Sequence, residues 1–170
     1  MSRCGAIQKM DRRGFLRSAS AAGAGLALGP TVLRAASQTA GANDHPPLHV
    51  ALIGAGSQGQ LLLDAARRMD GLRFEVVCDI WEAYNLRRGS CILQRYGHPA
   101  RPYTDFEEML DKENKLDAVI VATPDFWHAR HTLACLEAGL HVYCEAPMAN
   151  RAEDARRMAQ VARRNGKLLQ

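Results

Sequence analysis

The residues whose types and spacing point most directly to chemistry are three glycines in the run Gly54-Ala55-Gly56-Ser57-Gln58-Gly59. This G-x-G-x-x-G run lies between an apolar stretch, residues 48–53, and a helix-like stretch, residues 60–69. In such a turn the first glycine permits the tight bend, the second lets backbone approach a pyrophosphate, and the third lets helix pack closely on strand. The phosphates then lie at a helix N-terminus, which favours anions. We therefore predict a phosphate-binding turn formed by Gly54, Gly56, Ser57, Gln58 and Gly59. The alternative is a glycine-rich turn without a ligand.

A carboxylate ends the second predicted strand. Asp79 follows the strand-like residues 74–78 and lies twenty residues beyond Gly59. In a dinucleotide-binding fold, a carboxylate at this place binds the adenosine ribose. It would repel a 2′-phosphate, and no Arg or Lys follows before Arg87, so NAD is favoured as the cofactor and NADP is disfavoured. The alternative is a solvated loop aspartate.

Strand-like and helix-like stretches alternate from Leu48 onward, which indicates a Rossmann-type α/β fold, a doubly wound parallel sheet with helices on both faces. After residues 60–69 and 74–78, the predicted elements are a helix over 82–96, a strand at 101–103, a helix over 105–110, a strand at 118–122, a helix over 127–138, a strand at 141–144, a helix over 151–165 and the start of a sixth strand at 167–170. Thr104 or Asp105 is expected to cap one helix, and Asn150 with Glu153 to form a capping box for the last. Residues 43–170 thus predict one nucleotide-binding domain, and the second, substrate-binding domain usual for such enzymes is absent from this chain.

Residues 1–42 are typical of a twin-arginine export signal with a linker. The pair Arg12-Arg13 is followed by Phe15-Leu16 and Arg17, and then by a weakly apolar stretch rich in Ala and Gly over residues 18–33. Cleavage after Ala36 and cleavage after Ala42 both fit the sequence. We expect a periplasmic or extracellular protein. The alternative is a disordered basic tail.

The charge balance follows from this segment. The chain has 22 Lys and Arg against 18 Asp and Glu, a net charge of +4. Residues 1–42 hold six of the basic residues and one acidic residue, which leaves 16 against 17 in residues 43–170. The positive balance therefore gives no support for nucleic-acid binding. No later apolar run is long enough to span a bilayer, so we expect no membrane anchor after cleavage.

Metal and disulfide chemistry find little support. The chain has no C-x-x-C pair and no zinc-like spacing. His128 and His131 form an i, i+3 pair on one predicted helix, but no third ligand is evident, so a surface or pocket-edge position is favoured over a metal site. The cysteines after the signal, Cys78, Cys91, Cys135 and Cys144, are expected to be reduced, because the twin-arginine route exports proteins that have folded in the reducing cytosol.

Two further segments carry a family resemblance. Residues 122–129 read Ala-Thr-Pro-Asp-Phe-Trp-His-Ala, and residues 136–148 read Leu-Glu-Ala-Gly-Leu-His-Val-Tyr-Cys-Glu-Ala-Pro-Met. With the glycine run and Asp79, they resemble the glucose-fructose oxidoreductase, inositol dehydrogenase and MocA family over residues 48–170. The resemblance implies an NAD(P)-dependent oxidoreductase that acts on a sugar, polyol or related carbohydrate. It also implies that Thr123, Pro124, His128 and Glu145 lie beside the cofactor, and that homo-oligomers form through the second domain.

The chain departs from the family pattern at Ala146, where the family's Glu-Lys-Pro motif usually has a lysine. Removing hydride from a carbinol needs a base and a cation to steady negative charge, and an alanine supplies neither. No catalytic residue is therefore assigned. Three interpretations stay open: a truncated carbohydrate oxidoreductase that binds nucleotide, a noncatalytic dinucleotide-binding domain, and a relative of the family members that hydrolyse glycosides through transient oxidation by NAD. We expect the chain alone to bind NAD and to turn over no sugar.

Overall fold

A five-stranded parallel sheet forms the centre of the computed structural model, which describes residues 46–170. The strands are β1 (Leu48–Ile53), β2 (Leu72–Cys78), β3 (Arg101–Tyr103), β4 (Ala118–Val121) and β5 (His141–Cys144). Their order across the sheet is β3-β2-β1-β4-β5, and all neighbours pair in parallel. Because strand order reverses between β1 and β4, the crevice of such a sheet lies at their carboxyl ends.

Within residues 46–170, an α-helix follows each of the five strands. The helices are α1 (Ser57–Ala66), α2 (Arg87–Arg95), α3 (Phe106–Lys112), α4 (Asp125–Glu137) and α5 (Ala152–Arg164), and a π-helical turn, Glu82–Leu86, precedes α2. None of the helices within residues 46–170 is long and apolar enough to cross a membrane. The proposed export signal, residues 1–42, lies outside the described residues.

The helices cover both faces of the sheet. On one face, Leu63 of α1 and Leu93 of α2 pack in a cluster with the strand residues Leu52 and Phe74. On the other face, three buried side chains from successive helices pack against the strands: Met109 of α3, Leu136 of α4 and Met158 of α5. Removing such large side chains from water supplies most of the favourable folding free energy. The predicted doubly wound α/β fold is therefore confirmed.

Several element boundaries differ from the sequence prediction. Helix α1 begins at Ser57, so the last residues of the glycine run form its first turn. The predicted helix over 82–96 is divided into the π-helical turn and α2. The capping box is wrong: Arg151 is the N-cap residue of α5, and no side chain caps this helix. By contrast, Asp105 caps α3, and its Oδ1 accepts hydrogen bonds from the N–H groups of Glu107 (2.7 Å) and Glu108 (3.0 Å).

The last residues of the chain lie beside β5. Val142 and Leu169 form a parallel bridge. The N–H of Cys144 donates to the carbonyl of Gln170 at 2.7 Å, and the N–H of Gln170 donates to the carbonyl of Val142 at 3.0 Å. Residues 168–170 thus extend the pairing pattern of the sheet beyond β5, in line with the predicted start of a sixth strand.

Candidate nucleotide-binding site

In the glycine turn at the carboxyl end of β1, Gly54 and Gly59 are in close contact with neighbouring backbone. Gly54 has a φ of +94°, and a Cβ there would lie 2.6 Å from the carbonyl carbon of Ala122. A Cβ on Gly59 would lie 2.0 Å from the carbonyl oxygen of Gly54. Glycine is therefore required at both positions, at Gly54 by a left-handed backbone and a neighbouring strand end, and at Gly59 by close approach of α1 to the turn.

Gly56 differs, because it faces open space. Its φ is −66°, and the nearest atom that an added Cβ would meet is the side-chain nitrogen of Asn85 at 4.0 Å. Gly56 is the N-cap of α1, and no side chain accepts a hydrogen bond from the first turn of this helix. The next residues, Ser57 and Gln58, are exposed. The start of α1 thus offers N–H groups to a ligand, as a helix start does for an anion.

Asp79 is held over this turn by backbone hydrogen bonds. Its Oδ2 accepts from the N–H of Ala55 at 2.8 Å, and its Oδ1 accepts from the N–H of Trp81 at 2.8 Å. The side-chain amide of Asn85 lies 3.4 Å from Oδ2. Within residues 46–170, no Lys or Arg forms an ion pair with this carboxylate. Each oxygen keeps acceptor capacity for a further hydroxyl group.

A cleft of about 520 Å³ opens at the carboxyl ends of the strands. Its lining includes Gly54 and Gly56 of the turn, and Asp79 after β2. The remaining lining comes from all four strand ends from β1 to β4 and the elements after them: Ile53, Cys78, Ile80, Trp81, Asn85, Thr104, Asp105, Phe106, Ala122, Thr123, Pro124, Phe126, Trp127, Arg130 and His131. The cleft therefore joins the glycine turn and the carboxylate in one space of ligand size.

One wall of the cleft is aromatic. The ring of His131 stacks on Trp127 with centroids 5.5 Å apart and an angle of 12°, and Phe106 meets His131 edge-on at 4.6 Å. Burial, with smaller contributions from the charges of Arg130 and His128, lowers the pKa of His131 to about 4. The guanidinium of Arg130 is bonded to Glu107 at 2.9 Å. This wall presents flat, neutral rings, which suit stacking with a planar ligand.

His128 lies behind the cleft rather than in it. It is 2% exposed, its Nε2 lies 2.7 Å from the carbonyl oxygen of Thr123, and its Nδ1 lies 2.8 Å from that of Pro147. The expectation of a surface or pocket-edge position is therefore wrong for His128, because its ring is used to join the chain after β4 to the chain after β5. His131, in contrast, lines the cleft, and its Nδ1 lies 3.1 Å from the hydroxyl oxygen of Thr123.

Glu145 and Ala146 follow β5 at the same edge of the sheet. The side chain of Gln58 donates to Oε1 of Glu145 at 2.9 Å, and the N–H of Ala146 donates to Oε2 at 3.1 Å. The N–H of Glu145 donates to the carbonyl of Val121 at 2.9 Å. Ala146 is exposed and contributes only a methyl group. The hydrogen bond between Gln58 and Glu145 thus links the start of α1 to the end of β5.

Sequence reasoning missed several residues of the cleft, among them Ile80, Asn85, Phe106 and Arg130. Their positions just after β2 and β3 and within α4 were the available signal, because ligands of such sheets bind outside the carboxyl ends of the strands. Within the described residues, no group of three His, Cys, Asp or Glu could hold a metal ion. Cys78, Cys135 and Cys144 are free and buried, and Cys91 is free and exposed.

Comparison with known proteins identifies the family. Residues 48–170 match the GFO_IDH_MocA model, described as an oxidoreductase family with an NAD-binding Rossmann fold. This chain belongs to that family. The glycine turn, Asp79 and the cleft are thus those of a GFO_IDH_MocA nucleotide-binding domain.

Individual relatives agree with this. The chain is 39% identical over 125 residues to the D-glucoside 3-dehydrogenase of Escherichia coli K12, a match that covers 72% of this chain and 34% of the relative. It is 26% identical over 178 residues to a glycosyl hydrolase family 109 protein of Shewanella baltica OS155, covering 95% and 39%. The WlbA dehydrogenase of Chromobacterium violaceum, solved with NADH and UDP-GlcNAcA, superposes with a TM-score of 0.65 at 32% identity, covering 74% and 35%. The chain therefore spans between a third and two fifths of the length of these relatives.

Proposed function

We propose that the cleft binds NAD and that the chain serves as the nucleotide-binding domain of an oxidoreductase acting on a sugar, polyol or related carbohydrate. The observation that carries this proposal is the meeting of the Gly54–Gly59 turn and the Asp79 carboxylate in one cleft of about 520 Å³. The residues present fit the cofactor, since the uncapped start of α1 suits a pyrophosphate and Asp79 keeps acceptor capacity for ribose hydroxyls.

Each part of the cleft has a role in this proposal. The N–H groups at Gly56, Ser57 and Gln58 bind the pyrophosphate. The Asp79 carboxylate holds the adenosine ribose, the rings of the aromatic wall stack on the cofactor, and the chain after β4 and β5 lies toward the nicotinamide. Bound NAD supplies a ring that accepts hydride, and these residues bind and orient it.

The charges around Asp79 favour NAD over NADP. A 2′-phosphate would lie against the Asp79 carboxylate, and the residues that follow, Ile80 and Trp81, carry no charge. Among the described residues, Arg130 is the only Arg or Lys that lines the cleft, and its guanidinium is already bonded to Glu107. The site therefore disfavours a 2′-phosphate.

The experiment is an isothermal titration of the full chain with NAD and, separately, with NADP. We expect NAD to bind more tightly, and Asp79→Ala to weaken NAD binding by about tenfold or more, since ribose hydrogen bonds to a charged acceptor are lost. Asp70→Ala is the matched control, because Asp70 is exposed and precedes β2 at the opposite end of the sheet. Failure of NAD to bind the wild-type chain would overturn the proposal.

We further propose that these residues bind NAD without turning over a sugar. Ala146, which follows β5, offers no proton acceptor and no cation. Two interpretations agree with this. The chain is a noncatalytic dinucleotide-binding domain, or it is part of a carbohydrate oxidoreductase whose catalytic residues are not among these 170. Sugar-dependent formation of NADH by the purified 170-residue chain would contradict this proposal.

A second candidate activity is NAD-dependent hydrolysis of glycosides. The match to the family 109 protein, which covers 95% of this chain, favours it over unrelated activities. Release of sugar from a glycoside in the presence of NAD, without net accumulation of NADH, would distinguish this activity from a dehydrogenase.

We also propose that residues 1–42 direct export by the twin-arginine pathway. The support is the sequence Arg12-Arg13-Gly14-Phe15-Leu16 followed by the Ala- and Gly-rich stretch. Export of the full chain should fail when Arg12 and Arg13 are both replaced by Lys. Unchanged export of that variant would contradict the proposal.

A further inference from the structure

We propose that Glu145 makes the site select the oxidised nicotinamide, which carries a positive charge, over the reduced and neutral one. This inference rests on the proposed NAD binding and adds to it a choice between the two redox forms of the cofactor. It concerns equilibrium binding alone and invokes no transfer of electrons.

Glu145 has a fixed position at the carboxyl end of β5. Its main chain is tied to β4 through the carbonyl of Val121, and its carboxylate receives the side-chain N–H of Gln58 at 2.9 Å. Gln58 lies in the first turn of α1, where the phosphates are proposed to bind. The adenosine side of the cleft lies toward β2 and Asp79, so Glu145, which follows β5, lies on the opposite side of the phosphates. A dinucleotide laid across the strand ends has its nicotinamide on that side.

Within the described part of the chain, the Glu145 carboxylate has no positive partner. Glu145 takes part in none of the ion pairs among residues 46–170. Its two hydrogen bonds come from neutral groups, the amide of Gln58 and the N–H of Ala146. The other charged side chain that begins the segment after β4 is Asp125, which is exposed and also acidic. Glu145 and Asp125 therefore both place negative charge at the ends of β5 and β4.

The two redox forms of the cofactor respond differently to the charge of Glu145. Oxidised nicotinamide bears a full positive charge on its ring, and reduced nicotinamide bears none. Glu145 is partly buried, so solvent screens its charge less than it screens a fully exposed carboxylate. A unit charge several ångströms away, at an effective dielectric constant between those of protein and water, corresponds to a preference of about three- to tenfold in Kd. The structure of the two dinucleotides is otherwise nearly the same, so this term decides between them.

The test compares the Kd of the full chain for NAD⁺, for NADH and for ADP-ribose, which lacks the nicotinamide. Glu145→Gln removes the charge but keeps an oxygen that can accept from Gln58. The matched control is Glu137→Gln, because Glu137 is an exposed carboxylate at the end of α4 that lies away from the cleft. A second variant, Ala146→Lys, adds a positive charge next to Glu145. We expect wild-type protein to bind NAD⁺ about three- to tenfold more tightly than NADH. The ratio should fall toward one in Glu145→Gln, fall further in Ala146→Lys, and stay unchanged in Glu137→Gln.

The outcomes separate this inference from the function on which it rests. If NAD⁺ and NADH bind with equal affinity, or if Glu145→Gln leaves their ratio unchanged, the inference is overturned while NAD binding stands. Unchanged ADP-ribose affinity in Glu145→Gln, together with a lower ratio, supports a local effect of charge. Loss of ADP-ribose binding in that variant would instead mean that Glu145 maintains the fold of the site, which also overturns the inference. Failure of the wild-type chain to bind either dinucleotide overturns the proposed function and the inference with it.

Discussion

At the scale of single residues, Gly56 and Gly59 lie in one turn, yet a methyl group would meet different surroundings at each. At Gly59 it would lie 2.0 Å from the carbonyl oxygen of Gly54, whereas at Gly56 the nearest atom is 4.0 Å away. We expect Gly59→Ala to lower the free energy of unfolding by about 1–3 kcal/mol. Gly56→Ala should lower stability by no more than about 1 kcal/mol, because alanine is a poorer N-cap residue than glycine. It should weaken NAD binding by about tenfold, because the methyl group occupies the space proposed for the phosphates.

Urea unfolding and NAD titration of both variants check this pair. Each variant serves as the control for the other, since both add the same methyl group to the same turn. Tight NAD binding by Gly56→Ala would mean that the phosphates do not approach this glycine. Wild-type stability of Gly59→Ala would mean that α1 can move away from the turn without cost.

The contribution of His131, in the aromatic wall, to folding stability depends on pH. Burial and, secondarily, the charge of Arg130 lower its pKa to about 4, whereas a histidine in an unfolded chain titrates near 6.5. Between these values the unfolded chain binds a proton that the folded protein does not. The contribution of His131 to stability is therefore complete above about pH 6.5 and is lost as the pH falls from about 6.5 to 4.

His131→Phe tests this, because it keeps a ring between Trp127 and Phe106 and cannot titrate. Urea unfolding of both proteins at pH 7 and pH 4.5 gives the comparison. The free energy of unfolding of the wild type should fall, relative to that of the variant, on going to pH 4.5. Parallel pH dependence of the two proteins would contradict the lowered pKa.

At the scale of elements, one buried carboxylate joins three strands. Glu75 lies in β2 next to the irregularity in its register with β1, and its side chain is 10% exposed. It accepts hydrogen bonds from His49 of β1 at 2.9 Å, from Arg73 of β2 at 2.7 Å and from Arg101 of β3 at 3.3 Å. Burial acts to raise its pKa, but the hydrogen bonds from His49 and Arg73 outweigh burial and lower it. This support for the sheet is therefore present at neutral pH and is lost as the pH falls below the usual range of a glutamate.

Glu75→Gln should lower the free energy of unfolding at pH 7 by about 1–3 kcal/mol, because it removes the carboxylate that pairs with Arg73 and that His49 and Arg101 share, although Arg101 keeps its ion pair with Glu113. Glu108→Gln is the matched control. Glu108 pairs with Lys112 on the surface of α3, where such a pair contributes about 0.5 kcal/mol or less. Equal effects of the two substitutions, measured by urea unfolding, would mean that the Glu75 cluster is only a surface network.

Some features of these elements could be predicted from the sequence and others could not. The alternation of strands and helices, the glycine turn and the carboxylate after β2 could be predicted, because each depends on neighbouring residues and on the general geometry of parallel sheets. The burial of His128 could not be predicted, since it depends on the carbonyl of Pro147, nineteen residues away in the chain. Phe106 of the aromatic wall could not be predicted for the same reason, because its ring reaches the cleft only when α3 lies beside α4.

At the scale of the whole molecule, the cleft draws on both halves of the sheet, so a ligand there should stabilise the entire domain. A ligand that binds only the folded state adds about 1.4 kcal/mol for each tenfold increase in concentration above its Kd. We expect unfolding of the full chain to shift in this way with NAD. The shift should require higher NAD concentrations in Asp79→Ala but not in Asp70→Ala. A transition that is indifferent to NAD would contradict binding at a site made only by the folded sheet.

The two margins of the sheet also bear on how the protein behaves at high concentration. Strand β3 forms one margin with only three residues, and its central Pro102 has no N–H to donate. At the other margin, residues 168–170 already occupy hydrogen-bonding groups of β5. Exposed, unpaired strands are the usual templates for aggregation between copies of a folded protein. Strand β3 is therefore a poor template and β5 is already paired, so aggregation through either of these strands would begin from partly unfolded molecules.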